Sequence, residues 1–209
     1  MNFVFILILP LVFLLYALFS KEQGGKFTAF LLGILGGIVS LIIVSFFPLS
    51  DLQISSSFAA HLWRFFFQYF FLHALFGLIF FFLVSFSLSE ETLSNSFSAI
   101  FGIFSSVFAY LFYKNINTPD STELISFLTI IIGSILIFDF VYYILSSNLT
   151  ISMDFIIYAI AFISFIVFTF LGSYSLAAWY LSVSSTMYIF ISCGVLLLGV
   201  SLNIVRNRL

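Results

Sequence analysis

The chain has 209 residues, of which 63% are hydrophobic and only 7% charged, and its formal net charge is -2. Soluble domains carry about 25% charged residues, so a surface this poor in charge excludes life in water and leaves lipid as the solvent. The length allows one integral membrane domain without a separate soluble one, and the absence of a basic block excludes nucleic acid as a partner.

A helix needs about 20 apolar residues to cross the hydrocarbon layer. On that criterion the chain reads as an all-α polytopic transmembrane helix bundle of about seven spans, six if the last two are one. Strands are not expected, because the runs are continuously apolar and barrel strands would alternate. The first span covers 3–19, with Pro10 as a mild kink. It lacks the basic n-region and small-residue cleavage site of a signal peptide, so it is read as retained. A polar turn, Lys21 to Lys26, leads to the second span, 27–47, which Pro48 ends. Ala29, Gly33 and Gly37 recur there every fourth residue and form one small-residue face, with Gly36 and Ser40 on an adjacent strip. Apolar burial does not drive helix association in lipid, so such faces mark close backbone packing.

The third segment, 59–87, holds both histidines. His61, Arg64 and Gln68 fall on one helical face beside Trp63, a mixture suited to the headgroup layer, with Arg64 as a candidate lipid-phosphate contact. The sequence leaves open whether the span proper starts near Phe58 or near Phe67. That register decides whether His73 reaches the level of Asp139. Glu90-Glu91 opens the fourth span, 97–113, as two acids expected at a helix start. Ser98, Gly102 and Ser106 repeat the small-residue pattern, so this helix and the second form the expected packed centre.

Lys114 to Glu123 is the longest polar loop. The fifth span, 124–145, carries Asp139 about 7 Å from its middle. A carboxylate there must find a partner or bind a proton, and Tyr142 and Tyr143, three and four residues on, are placed to donate to it. Asn148-Leu149-Thr150 matches a glycosylation acceptor but falls in too tight a loop. The sixth and seventh spans, 155–171 and 177–204, are separated at Gly172–Ser175. Cys193, the one cysteine, excludes an intrachain disulfide. Two histidines and no acidic cluster within the spans argue against a metal, and no cofactor motif occurs.

Lys21, Lys26, Arg206 and Arg208 fall on one side of the seven-span topology, which places the N-terminus outside and the C-terminus in the cytoplasm of a bacterial inner membrane. In Leu9-Pro10-Leu11, Lys21-Glu22 and Leu32-Gly33 the first quarter resembles the start of the PrsW-type intramembrane proteases. There too a proline-bearing span passes through a charged turn into a glycine-bearing span. Phe108 to Tyr113 is similar to that family's third conserved helix. The resemblance covers under half the chain and implies a membrane protease fold, but the family's catalytic glutamates and histidine have no counterparts, so it implies an inactive member. Two functional classes follow from the residues themselves. One is a non-catalytic membrane subunit packing against a partner membrane protein or a second copy. The other is an ion-coupled carrier centred on Asp139, with His73 or the tyrosines.

Overall fold

The computed structural model describes residues 7–19, 25–47, 57–86, 95–114, 121–148, 154–181 and 185–206. The polar breaks at 21–24, 48–56, 87–94, 115–120 and 149–153 lie outside them, and so do Pro48, Glu90-Glu91, Arg208 and the Leu149-Thr150 part of the acceptor motif. All regular structure among the described residues is helical. The helices are α1 (Ile8–Phe19), α2 (Lys26–Ser45), α3 (Phe58–Phe65), a π turn (Phe66–Phe71), α4 (Leu72–Ser85), α5 (Ser96–Lys114), α6 (Ser121–Asn148), α7 (Asp154–Tyr180) and α8 (Ser185–Arg206). Among the described residues, five helical stretches are long and apolar enough to cross a membrane: Lys26–Ser45, Phe58–Ser85, Ile125–Ser147, Ile156–Ala178 and Thr186–Arg206. Ile8–Leu18 and Ser96–Leu111 are apolar but shorter. The protein is therefore a membrane-integral helical protein.

Local chemistry explains the ends and the continuity of several helices. Pro10 lies in the first turn of α1, where its missing N–H is not needed. Gly25 precedes α2 with φ 69°, a left-handed conformation that favours glycine. Ser57 caps α3, its Oγ accepting from the Ala60 amide at 3.4 Å. In the third segment, where the sequence leaves two starts open, no helix break is seen: one helical stretch runs from Phe58 to Ser85 with a π turn inside it. The expected break at Gly172–Ser175 is also absent, since α7 runs through it and ends at Tyr180. The serines there do not open the helix because their hydroxyls bond back along it. Ser173 Oγ donates to the Thr169 carbonyl at 3.0 Å, and Ser175 Oγ to that of Gly172 at 2.8 Å. Gly172 itself packs on the Ile130 side chain.

The chain forms two compact units. The first contains α1, α2, α4 with most of the π turn, and α5. Its centre is the pairing of α2 with α5, whose Ala29–Gly33–Gly37 and Ser98–Gly102–Ser106 strips meet. A Cβ on Gly33 would overlap the Ala99 carbonyl, one on Gly102 the Phe30 carbonyl, and one on Gly37 the Ser106 hydroxyl. Ser106 Oγ reaches across to the Ile34 carbonyl at 3.2 Å. In α4, Gly77 faces Gly36 of α2 and Ile103 of α5. Phe13 of α1 stacks on Phe30 with ring centroids 4.0 Å apart. Lys26, expected in a polar turn, is instead buried as the first residue of α2, 5.5 Å from the Tyr16 ring and 6.0 Å from that of Phe97. The electron-rich ring faces stabilise its ammonium there.

The second unit contains α3, α6, α7 and α8. Here α3 lies on α7 through aromatic edges: Phe58 meets Tyr174 at 5.0 Å, and Trp63 and Phe66 meet Phe170 at 5.5 and 5.4 Å. Helices α6 and α8 touch backbone to backbone at Gly133, which faces Val195, and at Gly199, which faces the Gly133 carbonyl.

Candidate functional site

Polar side chains inside a membrane protein are the natural places to look for chemistry, because each must be satisfied or costs several kcal/mol. Two such places are taken in turn, one in each unit.

In the second unit the seam between α6 and α8 becomes polar step by step. Gly199, Asn203 and Arg206 recur at helical spacing along α8. They meet Gly133, Leu136 and Asp139, spaced by three along α6. Residue numbers rise together on both sides, so the two helices run parallel. Asn203 Nδ2 donates to the Leu136 carbonyl at 2.9 Å and to the Gly199 carbonyl at 3.0 Å. One turn on, Arg206 Nη1 donates to Asp139 Oδ2 at 2.6 Å. The Asp139 side chain is 2% exposed and that of Arg206 21%. The guanidinium carbon sits 4.5 Å from the centre of the Tyr143 ring.

This arrangement revises the expected role of the tyrosines. Tyr143 meets the cation with its ring face, and Tyr142 leans on Tyr158 of α7 with centroids 4.9 Å apart. The cation is the residue that sequence reasoning missed. In the sequence Arg206 reads as part of the basic flank beyond the last span, and Asn203 as one polar residue in an apolar run. The signal was present in the spacing of Gly199, Asn203 and Arg206, which puts an amide and a guanidinium on the same face as a close-packing glycine.

In the first unit His73 is buried against α2. Ser40 Oγ donates to the Gly37 carbonyl at 2.7 Å and lies 3.1 Å from His73 Nδ1. A serine hydroxyl has one proton. With that proton on Gly37, the Ser40 oxygen accepts, so His73 Nδ1–H donates to it and Nε2 carries the lone pair. His73 and Asp139 belong to different units, and each has a partner within its own.

The expected headgroup cluster is divided. Trp63 is exposed and Arg64 and Gln68 are half-buried, but His61 is buried at 6% exposure, its ring 6.2 Å from that of Phe65. Gln68 also lies inside the π turn, so the α-helical spacing that placed it on the face of His61 and Arg64 does not apply. No group of three or more potential metal ligands exists among the described residues. No family model, no curated protein and no solved structure matches this chain.

Proposed function

We propose that the protein is a non-catalytic, seven-span membrane subunit of a bacterial inner membrane, with its N-terminus outside and its C-terminus in the cytoplasm, that packs against a partner membrane protein. The observation that carries this reading is the ion pair of Asp139 with Arg206. A carrier needs its membrane carboxylate to take up and release a proton or cation. Here the carboxylate holds a guanidinium that is itself braced by Tyr143, and the neighbouring amide of Asn203 is engaged with backbone carbonyls. Polar groups of this kind hold helices together, as the glycine contacts of α2 with α5 do. The outward faces remain broadly apolar, with Leu18, Leu83, Phe190 and Leu197 among the most exposed side chains.

Purification from membranes in mild detergent tests the reading. The expected result is co-purification of a second membrane protein at constant stoichiometry. Recovery of a stable, monodisperse single chain that also mediates ion-coupled uptake, with uptake abolished by Asp139→Asn, would replace it by the carrier reading. A green fluorescent protein fused at the C-terminus should fluoresce, and an alkaline phosphatase fused there should be inactive.

A further inference from the structure

Asp139 and Tyr143 stand four residues apart on α6, so they share one face of that helix whatever α8 does. The carboxylate is buried, and both side chains meet the same guanidinium, Asp139 through Oδ2 and Tyr143 through its ring face. Tyr142 leans on Tyr158, which braces this turn of α6 against α7. A buried carboxylate with an aromatic face one turn on has the parts of a site for a flat organic cation. The carboxylate supplies the opposite charge, and the ring supplies a surface on which a weakly hydrated plane can stack. A compact, strongly hydrated cation fits less well, because it would give up water for one carboxylate and a hydrocarbon face.

The chain itself supplies the cation, from the end of a helix. Arg206 is the last residue of α8, reaches Asp139 through Nη1 and is partly exposed. One turn earlier, Asn203 holds the Leu136 and Gly199 carbonyls, and Gly199 packs on Gly133. The last turn can therefore swing away while the rest of α8 stays docked. We propose that Asp139 and Tyr143 form a binding site for a small cation of the guanidinium or amidinium class, and that Arg206 is its tethered, displaceable occupant. A tethered occupant acts as a high local concentration of competitor. The site is therefore closed at rest and admits a free cation only when that cation displaces Arg206. The inference goes beyond the packing role and does not depend on a partner protein, because both site residues lie on α6.

The probe is ethylguanidinium chloride, compared with potassium chloride at equal ionic strength, in mixed micelles at about pH 8. In Arg206→Ala it should raise the melting temperature saturably. Half of the rise should come at on the order of 1–10 mM, an ordinary affinity for so small a ligand. At ten times that concentration the rise should be about 3 °C. Adding Tyr143→Leu should raise the half-saturating concentration about tenfold, and adding Asp139→Asn should abolish the rise. In the wild type, ethylguanidinium at about 100 mM should speed amide exchange over the last turn before Arg206 at least about twofold and leave it unchanged near Val195. A rise that potassium reproduces, or that survives Asp139→Asn, would overturn the site, and a half-saturating concentration unmoved by Tyr143→Leu would remove the ring from it. Wild-type exchange that ethylguanidinium leaves unchanged would overturn the displacement of Arg206, and this arm decides the matter if Arg206→Ala does not fold.

Discussion

Replacing Arg206 with Gln should harm this protein far more than replacing Asp139 with Asn, although each breaks the same ion pair. The reason is the unequal exposure of the partners, 2% for Asp139 against 21% for Arg206. Arg206 lies in the last turn of α8, and its long side chain reaches toward the helix end. Without Asp139 it swings outward, and the loss is confined to the pair itself, about 1–2 kcal/mol. Asp139 has no such exit. Removing one partner of a buried pair typically costs about 3–5 kcal/mol, because a charge is left uncompensated. Taking a proton relieves the carboxylate, and at pH 7 that costs an acid of ordinary acidity about 4 kcal/mol. That sets a ceiling near the same value. At pH 5 the proton costs only about 1.5 kcal/mol, so much of the damage from Arg206→Gln should be reversed there. The double variant Asp139→Asn with Arg206→Gln should return to within about 1.5 kcal/mol of wild type. The assay is reversible unfolding in mixed micelles at pH 7 and pH 5, read by circular dichroism. An Arg206→Gln loss below about 1 kcal/mol at pH 7, or one that does not shrink at pH 5, would refute this account of the seam.

Gly33→Ala and Gly102→Ala should each lower stability by about 3 kcal/mol, since the added methyl meets backbone and not a movable side chain. Gly194→Ala, with nothing within 4 Å of the added Cβ, should raise it by about 0.5–1 kcal/mol through helix propensity; the same unfolding assay reads all three. Asn203→Leu should cost about 0.6–1.5 kcal/mol, the range for side-chain hydrogen bonds between membrane helices. Ser98→Ala should be neutral or stabilising by up to about 1 kcal/mol, because the Ser98 hydroxyl is fully buried with no hydrogen-bond partner among the described residues.

Features of one segment were more legible than relations between segments. The α2 and α5 strips could be read because small residues at four-residue spacing are a property of a single helix, and backbone approach in lipid needs them. Asp139 could be picked out because an ionisable side chain in an apolar run is costly wherever it points. Its partner could not, because the pairing spans 67 residues and depends on the register of two helices that run parallel without being consecutive. Lys26 was misplaced for a related reason. As the last polar residue before a span it reads as part of a turn, whereas in the structure Tyr16 and Phe97, from two other helices, face its ammonium. The continuity of α7 through Gly172–Ser175 was obscured by composition. Glycine and serine read as a break in water, but a serine hydroxyl that bonds back along its own helix needs no water.

The α6–α8 seam shows why the ion pair sits where it does. Over about 9 Å along α6, three residues at a time, the contact passes from bare backbone at Gly133 to an amide at Leu136 and then to full charges at Asp139. Polarity therefore rises toward the end of α8, where the guanidinium is a fifth exposed. The reverse order would bury the charge pair in mid-helix, far from any solvent that could share its desolvation cost, and leave glycines where close contact gains least. The order also sets how the seam can fail. Opening at Arg206 leaves Asn203 and the glycine contact in place, whereas opening at Gly133 would require both polar steps to break first. Loosening of α8 should thus begin at its C-terminal end. Amide exchange should be fastest over the last turn before Arg206 and slowest near Val195, and Arg206→Gln should accelerate it at the first of these places before it does so at the second.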